Sequence, residues 1–178
     1  HYSEPDAARA LAAYTRSVEL RPSFAPGYEK RGLVNNDLGD YRAAVRDLKA
    51  ALAADPGSAS AHANFGLVAA YLGRLSEARS HLEQAQALNA DEAYAGLGLA
   101  YLDLLHGAAP AAVDKTLKAL VANPELPGID WFLAAATYQS GDYPRTRQAL
   151  DTARHRDPDD PIPDLIGSVT AVDHFEAG

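Results

Sequence analysis

The sequence contains no cysteine. That excludes disulfides, thiolate zinc sites and a cysteine nucleophile, and it leaves the redox compartment undetermined. It contains no methionine either, not even at position 1, so a chain that starts after some cut is expected. No secretory signal is visible, and a missing start makes that uninformative. Tryptophan occurs once, at Trp131. No apolar run reaches the length of about 18 residues that a spanning helix requires. Positive charge is in deficit: 16 Lys and Arg face 24 Asp and Glu, for a net charge of −8. Phosphate contacts need clustered Lys and Arg, so this balance argues against nucleic-acid binding. It argues equally against adsorption to an anionic membrane surface. What remains is apolar material: 47% of the 178 residues are hydrophobic and 22% charged, enough for a core and too much for wholesale disorder. The length predicts one domain or one array of repeats.

A period of 34 residues runs through the chain. Pro22, Pro56, Pro124 and Pro158 lie on it, with Ala90 in the slot between. Gly39, Gly73, Gly107 and Gly141 form a second ladder at the same spacing. Ala10, Ala44, Ala78, Ala112 and Thr146 form a small-residue ladder, and Ser17, Ala51, Ala85, Ala119 and Ala153 another. Between these runs a bulkier column of Tyr14, Leu48, Leu82, Thr116 and Leu150. Repeats of this length are the signature of stacked supersecondary units.

The columns read as pairs of helices. Tyr41, Ala44, Val45, Leu48, Ala51 and Leu52 recur at three and four residues, an apolar stripe on one helical face. Gly39 is placed to end the preceding helix in a left-handed conformation, and Asp40 to cap the next. Asp55-Pro56 stops that helix, because proline disfavours helical geometry in the residue before it. Ala44 and Ala51 are small where two helix axes must approach closely.

The pattern resembles the tetratricopeptide repeat, a 34-residue helix-turn-helix. The matching residues are Gly32, Gly39-Asp40-Tyr41, Ala44, Leu48, Ala51 and Asp55-Pro56, then Phe65-Gly66, Gly73, Ala78, Leu82 and Ala85. A third set is Leu133-Ala134, Gly141-Asp142-Tyr143, Leu150, Ala153 and Asp157-Pro158. The resemblance covers nearly the whole chain and implies an all-α, right-handed α-solenoid of antiparallel helix pairs, about ten helices in all. Residues 1–24 fit the second helix of a truncated repeat. Repeats follow at 25–58, 59–92, 93–126 and 127–160, and residues 161–178 fit a first helix or a cap. Both ends fall inside a repeat, so a fragment of a longer protein is expected, with the last helix acting as a natural cap as the alternative. The 93–126 copy is irregular. Shifting its first helix by two residues puts Leu97-Gly98 in the family's Leu-Gly slot and Tyr101 between helices, and the shifted register is preferred. Unshifted, Tyr101 faces the groove.

No catalytic constellation emerges. None of His1, His62, His81, His106, His155 and His174 pairs with another at i+3 or i+4, so helical metal-ligand spacing is absent. The serines lack a Gly-x-Ser-x-Gly setting. Gly96 and Gly98 sit in a helix-period segment, where close packing explains them better than a phosphate loop. Asp55-Pro56-Gly57-Ser58 and residues 156–160 read as helix stops and solvated turns, not as calcium loops. No cofactor or metal is implied.

The resemblance implies that first helices line a concave groove that holds a peptide or protein segment. In the 25–58 copy the inward residues include Glu29, Lys30, Leu33, Asn36 and Asp37. In 59–92 they include Ala63, Asn64, Leu67, Ala70 and Tyr71. In 93–126, shifted, they include Ala95, Leu99, Leu102 and Asp103, and in 127–160 Trp131, Phe132, Ala135, Tyr138 and Gln139. Trp131 reads either as a partner anchor or as packing against its neighbours. The carboxylate clamp of chaperone-binding members is not matched, since only Asn64 agrees. The asparagine ladder of the sugar-transferase members keeps one rung of four. The groove is graded, polar in its first half and aromatic in its second, which suits a partner with an apolar end and a polar or mildly basic end. The resulting expectation is a non-catalytic scaffold for a protein or peptide partner, with no nucleic acid and no membrane insertion. The alternatives are the substrate-positioning region of a larger enzyme, or an array that associates end to end. Abundant alanine, and arginine well in excess of lysine, suit a GC-rich bacterial genome, with cytoplasm and periplasm both open.

Overall fold

A computed structural model describes residues 4–125 and 129–156, without the side chains of Glu4, Pro5 and Trp131. The described residues form nine α-helices and no strand: α1 (Glu4–Leu20), α2 (Ala25–Asp37), α3 (Tyr41–Ala54), α4 (Ala59–Tyr71), α5 (Leu75–Leu88), α6 (Ala93–Leu105), α7 (Ala109–Ala122), α8 (Ile129–Gln139) and α9 (Tyr143–Arg156). The expected final helix at 161–178 lies outside the described residues. The fold is an all-α solenoid of antiparallel helix pairs. Packing runs between sequence neighbours, with α2 and α4 also touching. The chain divides into two compact units, residues 1–98 and 99–178, with the division inside α6.

Each turn inside a helix pair is built the same way. Gly39, Gly73, Gly107 and Gly141 have φ values of 77°, 72°, 73° and 80°, a left-handed conformation that suits glycine. At the first turn Gly39 N–H donates to the Asn36 carbonyl and Asp40 N–H to the Asn35 carbonyl, both at 2.9 Å. This is the Schellman arrangement that satisfies orphan carbonyls at a helix end. The following helix is capped by Asp40, whose Oδ1 accepts from Ala43 N–H at 2.9 Å. Asp142 does the same for α9, accepting from Arg145 N–H at 3.2 Å. Arg74 and Ala108, at the equivalent places before α5 and α7, provide no side-chain cap.

In residues 1–98 the core is Val34, Ala44, Leu48, Phe65, Val68, Ala78 and Leu82, all at most 2% exposed. The small-residue ladder marks where helices approach. A Cβ built on Gly66 would stand 2.5 Å from Leu82 Cγ and 3.1 Å from the Ala78 carbonyl. Gly98 packs on both branches of Leu82 as well, so the reading of this glycine as a packing residue holds. In residues 99–178 Ala100, Ala112, Val113, Leu133, Ala134, Ala149 and Leu150 form a separate cluster.

The two-residue shift expected for the first helix of 93–126 is not observed. The first helices α2, α4 and α6 begin at 25, 59 and 93, and their partners α3, α5 and α7 at 41, 75 and 109. The turn enforces this register. Gly107 N–H donates to the Leu104 carbonyl and Ala108 N–H to the Asp103 carbonyl, the same Schellman pair as in the other copies. A shifted helix would end earlier and leave the left-handed glycine off its place.

Candidate partner-binding face

The register settles which side chains the first helices present. In residues 1–98, Glu29 is half-buried and its Oε1 accepts from Asn64 Nδ2 at 3.2 Å, which ties α2 to α4. Lys30 and Asp37 are exposed, and Leu33 and Leu67 are half-buried. Asn36 is half-buried, and its Oδ1 is shielded with no hydrogen-bond partner among the described residues. Tyr71 is 62% exposed and stacks on Tyr41 of α3, ring centroids 5.6 Å apart. Burial raises Glu92 above the ordinary carboxylate range; a hydrogen bond with the Tyr94 backbone opposes this, and the charge of Glu29 adds to it.

In residues 99–156 three residues expected on the groove move inside. Leu99 is 3% and Asp103 7% exposed, and Leu102 is fully buried. Asp103 forms an ion pair with Lys115 of α7. The reason is the unshifted register: one helical face over, α6 presents exposed Tyr94, half-buried Tyr101 and exposed Leu105 instead. Tyr101 meets Phe132 of α8 edge to face, centroids 6.2 Å apart. Tyr138 is half-buried and meets Tyr143 of α9 at 5.9 Å. Trp131 lies on α8, but its side chain is outside the described residues.

Between the two helices of each pair lies a polar contact that differs from copy to copy. Asp47 on α3 receives Arg31 of α2 through two bonds of 2.6 and 2.9 Å, and Asn35 Nδ2 at 3.0 Å. In the next pair, His62 of α4 meets His81 of α5, Nδ1 to Nδ1 at 2.9 Å. Burial lowers the His81 pKa, and the charges of His62 and Lys49 act the same way against Glu77. Further on come Asp103 with Lys115 and Thr146 donating to Thr137 at 3.0 Å. Asp130 of α8 pairs with Arg156 of α9 at 3.2 Å, and burial raises its pKa against the pull of that arginine. A search for i+3 and i+4 spacing misses the histidine pair. The two rings stand on different helices, α4 and α5, so no local spacing marks the pair. Among the described residues no three His, Asp or Glu side chains converge as a metal site. No described helix is long and apolar enough to cross a membrane.

Helix pairs of constant period, left-handed glycine turns and small residues at the crossings define an array of helix-turn-helix repeats. Residues 36–100 match the tetratricopeptide repeat family model. Solved structures of such proteins are similar over most of the chain. PilF of Pseudomonas aeruginosa is 22% identical with a TM-score of 0.77, covering 97% of this chain and 78% of that one. A thermophilic TPR protein of Thermus thermophilus is 20% identical with a TM-score of 0.76, covering 94% and 92%. YrrB, described as a TPR protein with an unusual peptide-binding site, is 21% identical with a TM-score of 0.62, covering 92% and 84%. At these identities the likeness is one of fold. No curated protein matches the sequence.

Proposed function

We propose that this chain is a non-catalytic scaffold that holds a peptide or protein segment against its first helices. The observation that carries the reading is the face shared by α2 and α4: the linked Glu29 and Asn64, exposed Lys30 and Asp37, and the stacked but exposed Tyr71. Aromatic side chains concentrate binding energy, and tyrosine does so at small entropic cost. Glu29, Asp37 and Glu92 suit a segment that carries a basic residue. In residues 99–156, Tyr101 and Phe132 suit an apolar side chain. A TPR protein with a peptide-binding site among the structural neighbours supports the class of partner.

The test is selection from a randomised peptide library displayed on phage. Enriched peptides carrying Lys or Arg are expected. Glu29→Lys and Tyr71→Ser should each weaken them at least tenfold, while Glu83→Lys, exposed on α5, should not. Enrichment of no peptide, or equal loss with Glu83→Lys, overturns the reading.

A further inference from the structure

We propose that His62 and His81 form a binding site for a late first-row divalent transition-metal ion, with Cu²⁺ or Ni²⁺ favoured over Zn²⁺. The two Nδ1 atoms face each other at 2.9 Å across the α4–α5 contact. At that distance one of them carries a proton and the other a bare lone pair. The neighbouring carbonyl decides which. His62 Nε2 lies 3.2 Å from the Pro56 carbonyl oxygen, which only accepts. Nε2 of His62 therefore holds the proton, and neutral His62 turns a bare Nδ1 toward His81. This is the arrangement by which metal-bound histidines are commonly held: the ring nitrogen away from the metal donates to a backbone carbonyl, fixing tautomer and ring orientation.

In the metal-free pair His81 donates its Nδ1 proton to His62. Moving that proton to Nε2 of His81 leaves both Nδ1 atoms bare with no change in charge. A cation then binds both from beside the line that joins them, the rings, with centroids 5.0 Å apart, turning so that the two lone pairs converge. The spacing fits this exchange. Two metal–nitrogen bonds of about 2.0–2.1 Å at a right angle span about 2.9 Å, and a tetrahedral angle opens the pair to about 3.3 Å. Square-planar and octahedral ions therefore meet the rings with the smaller adjustment, and imidazole affinity for Cu²⁺ and Ni²⁺ follows the same preference. The rings are positioned by packing: Phe65 lies against His81 at 4.1 Å between centroids. Both histidines are half-buried, so water completes the coordination shell. The surrounding charges oppose one another. Glu77, which pairs with Arg74 at 3.5 Å, favours a cation near His81, and Lys49 of α3 disfavours it.

The experiment uses a His1→Ala, His174→Ala chain, which removes the two histidines outside the described residues that compete for metal. Titration with Cu²⁺ is read by electron paramagnetic resonance, and with Ni²⁺ by line broadening of the histidine ring resonances. One Cu²⁺ with nitrogen hyperfine structure is expected, with His62 and His81 broadened first. His62→Gln and His81→Gln should each weaken binding at least tenfold, and His106→Gln and His155→Gln should leave it unchanged. Binding that survives in both of the first two variants overturns the site, as does broadening confined to other histidines or no bound ion. The broadening needs no substitution within the pair, so it decides the matter even where a variant fails to fold.

Discussion

At the scale of single residues the chain is governed by how little room its helix crossings leave. Gly66 is the clearest case, because a methyl group there meets both Leu82 and the backbone carbonyl of Ala78. The leucine can turn but the carbonyl cannot. Gly66→Ala is expected to cost about 1–3 kcal/mol by overpacking, measured by urea denaturation. Ala44 is fully buried at the equivalent crossing, and Ala44→Leu should cost a similar amount for the same reason. Asp47 poses the opposite problem. It anchors Arg31 and Asn35 at once with its side chain 10% exposed, so its removal strands a guanidinium inside the pair. Asp47→Ala should cost about 2–3 kcal/mol, the loss associated with hydrogen bonds to charged groups. Asp47→Asn, which retains an acceptor, should cost less.

At the scale of the helix, most of the architecture is legible in adjacent residues. The glycine ladder, the aspartates after it and the prolines beyond the second helices each act within one turn of chain. The helix bounds follow them closely. Where the local signal is missing, stability is left unrealised. Ala108 precedes α7 without a side-chain cap, whereas Asp40 and Asp142 cap at the same place in other repeats. Ala108→Asp is expected to stabilise the chain by about 1 kcal/mol, read as a raised denaturant midpoint with unchanged slope. The irregular 93–126 copy shows the limit of motif matching. Its Leu97-Gly98 matches the family pattern better than Leu99-Ala100 does. Register, however, is decided by the turn at Gly107, which moves Leu99 and Asp103 inside and puts Tyr101 on the presented face.

For the molecule as a whole, the acidic balance has a consequence for stability as a function of pH. Glu92 in the first unit and Asp130 in the second are both raised by burial. A carboxyl whose folded value lies above its unfolded value holds its proton more tightly when folded. Its contribution to stability is therefore present below the ordinary carboxylate range and lost as pH rises through the raised folded value. Glu92→Gln removes that loss, so its urea midpoint relative to the parent should improve as pH rises from about 4 to about 6. A flat or inverted difference would contradict the assigned burial.

Period, turns, caps and the apolar stripe of each helix were readable from the chain alone, because each is an interaction between residues a few positions apart. Whether a side chain on the first helices points inward or outward was not, since one turn's geometry rotates every residue after it. Nor was the meeting of His62 with His81, or of Tyr41 with Tyr71, legible from spacing. Those contacts join different helices, and only the crossing of packed helices brings their side chains within reach.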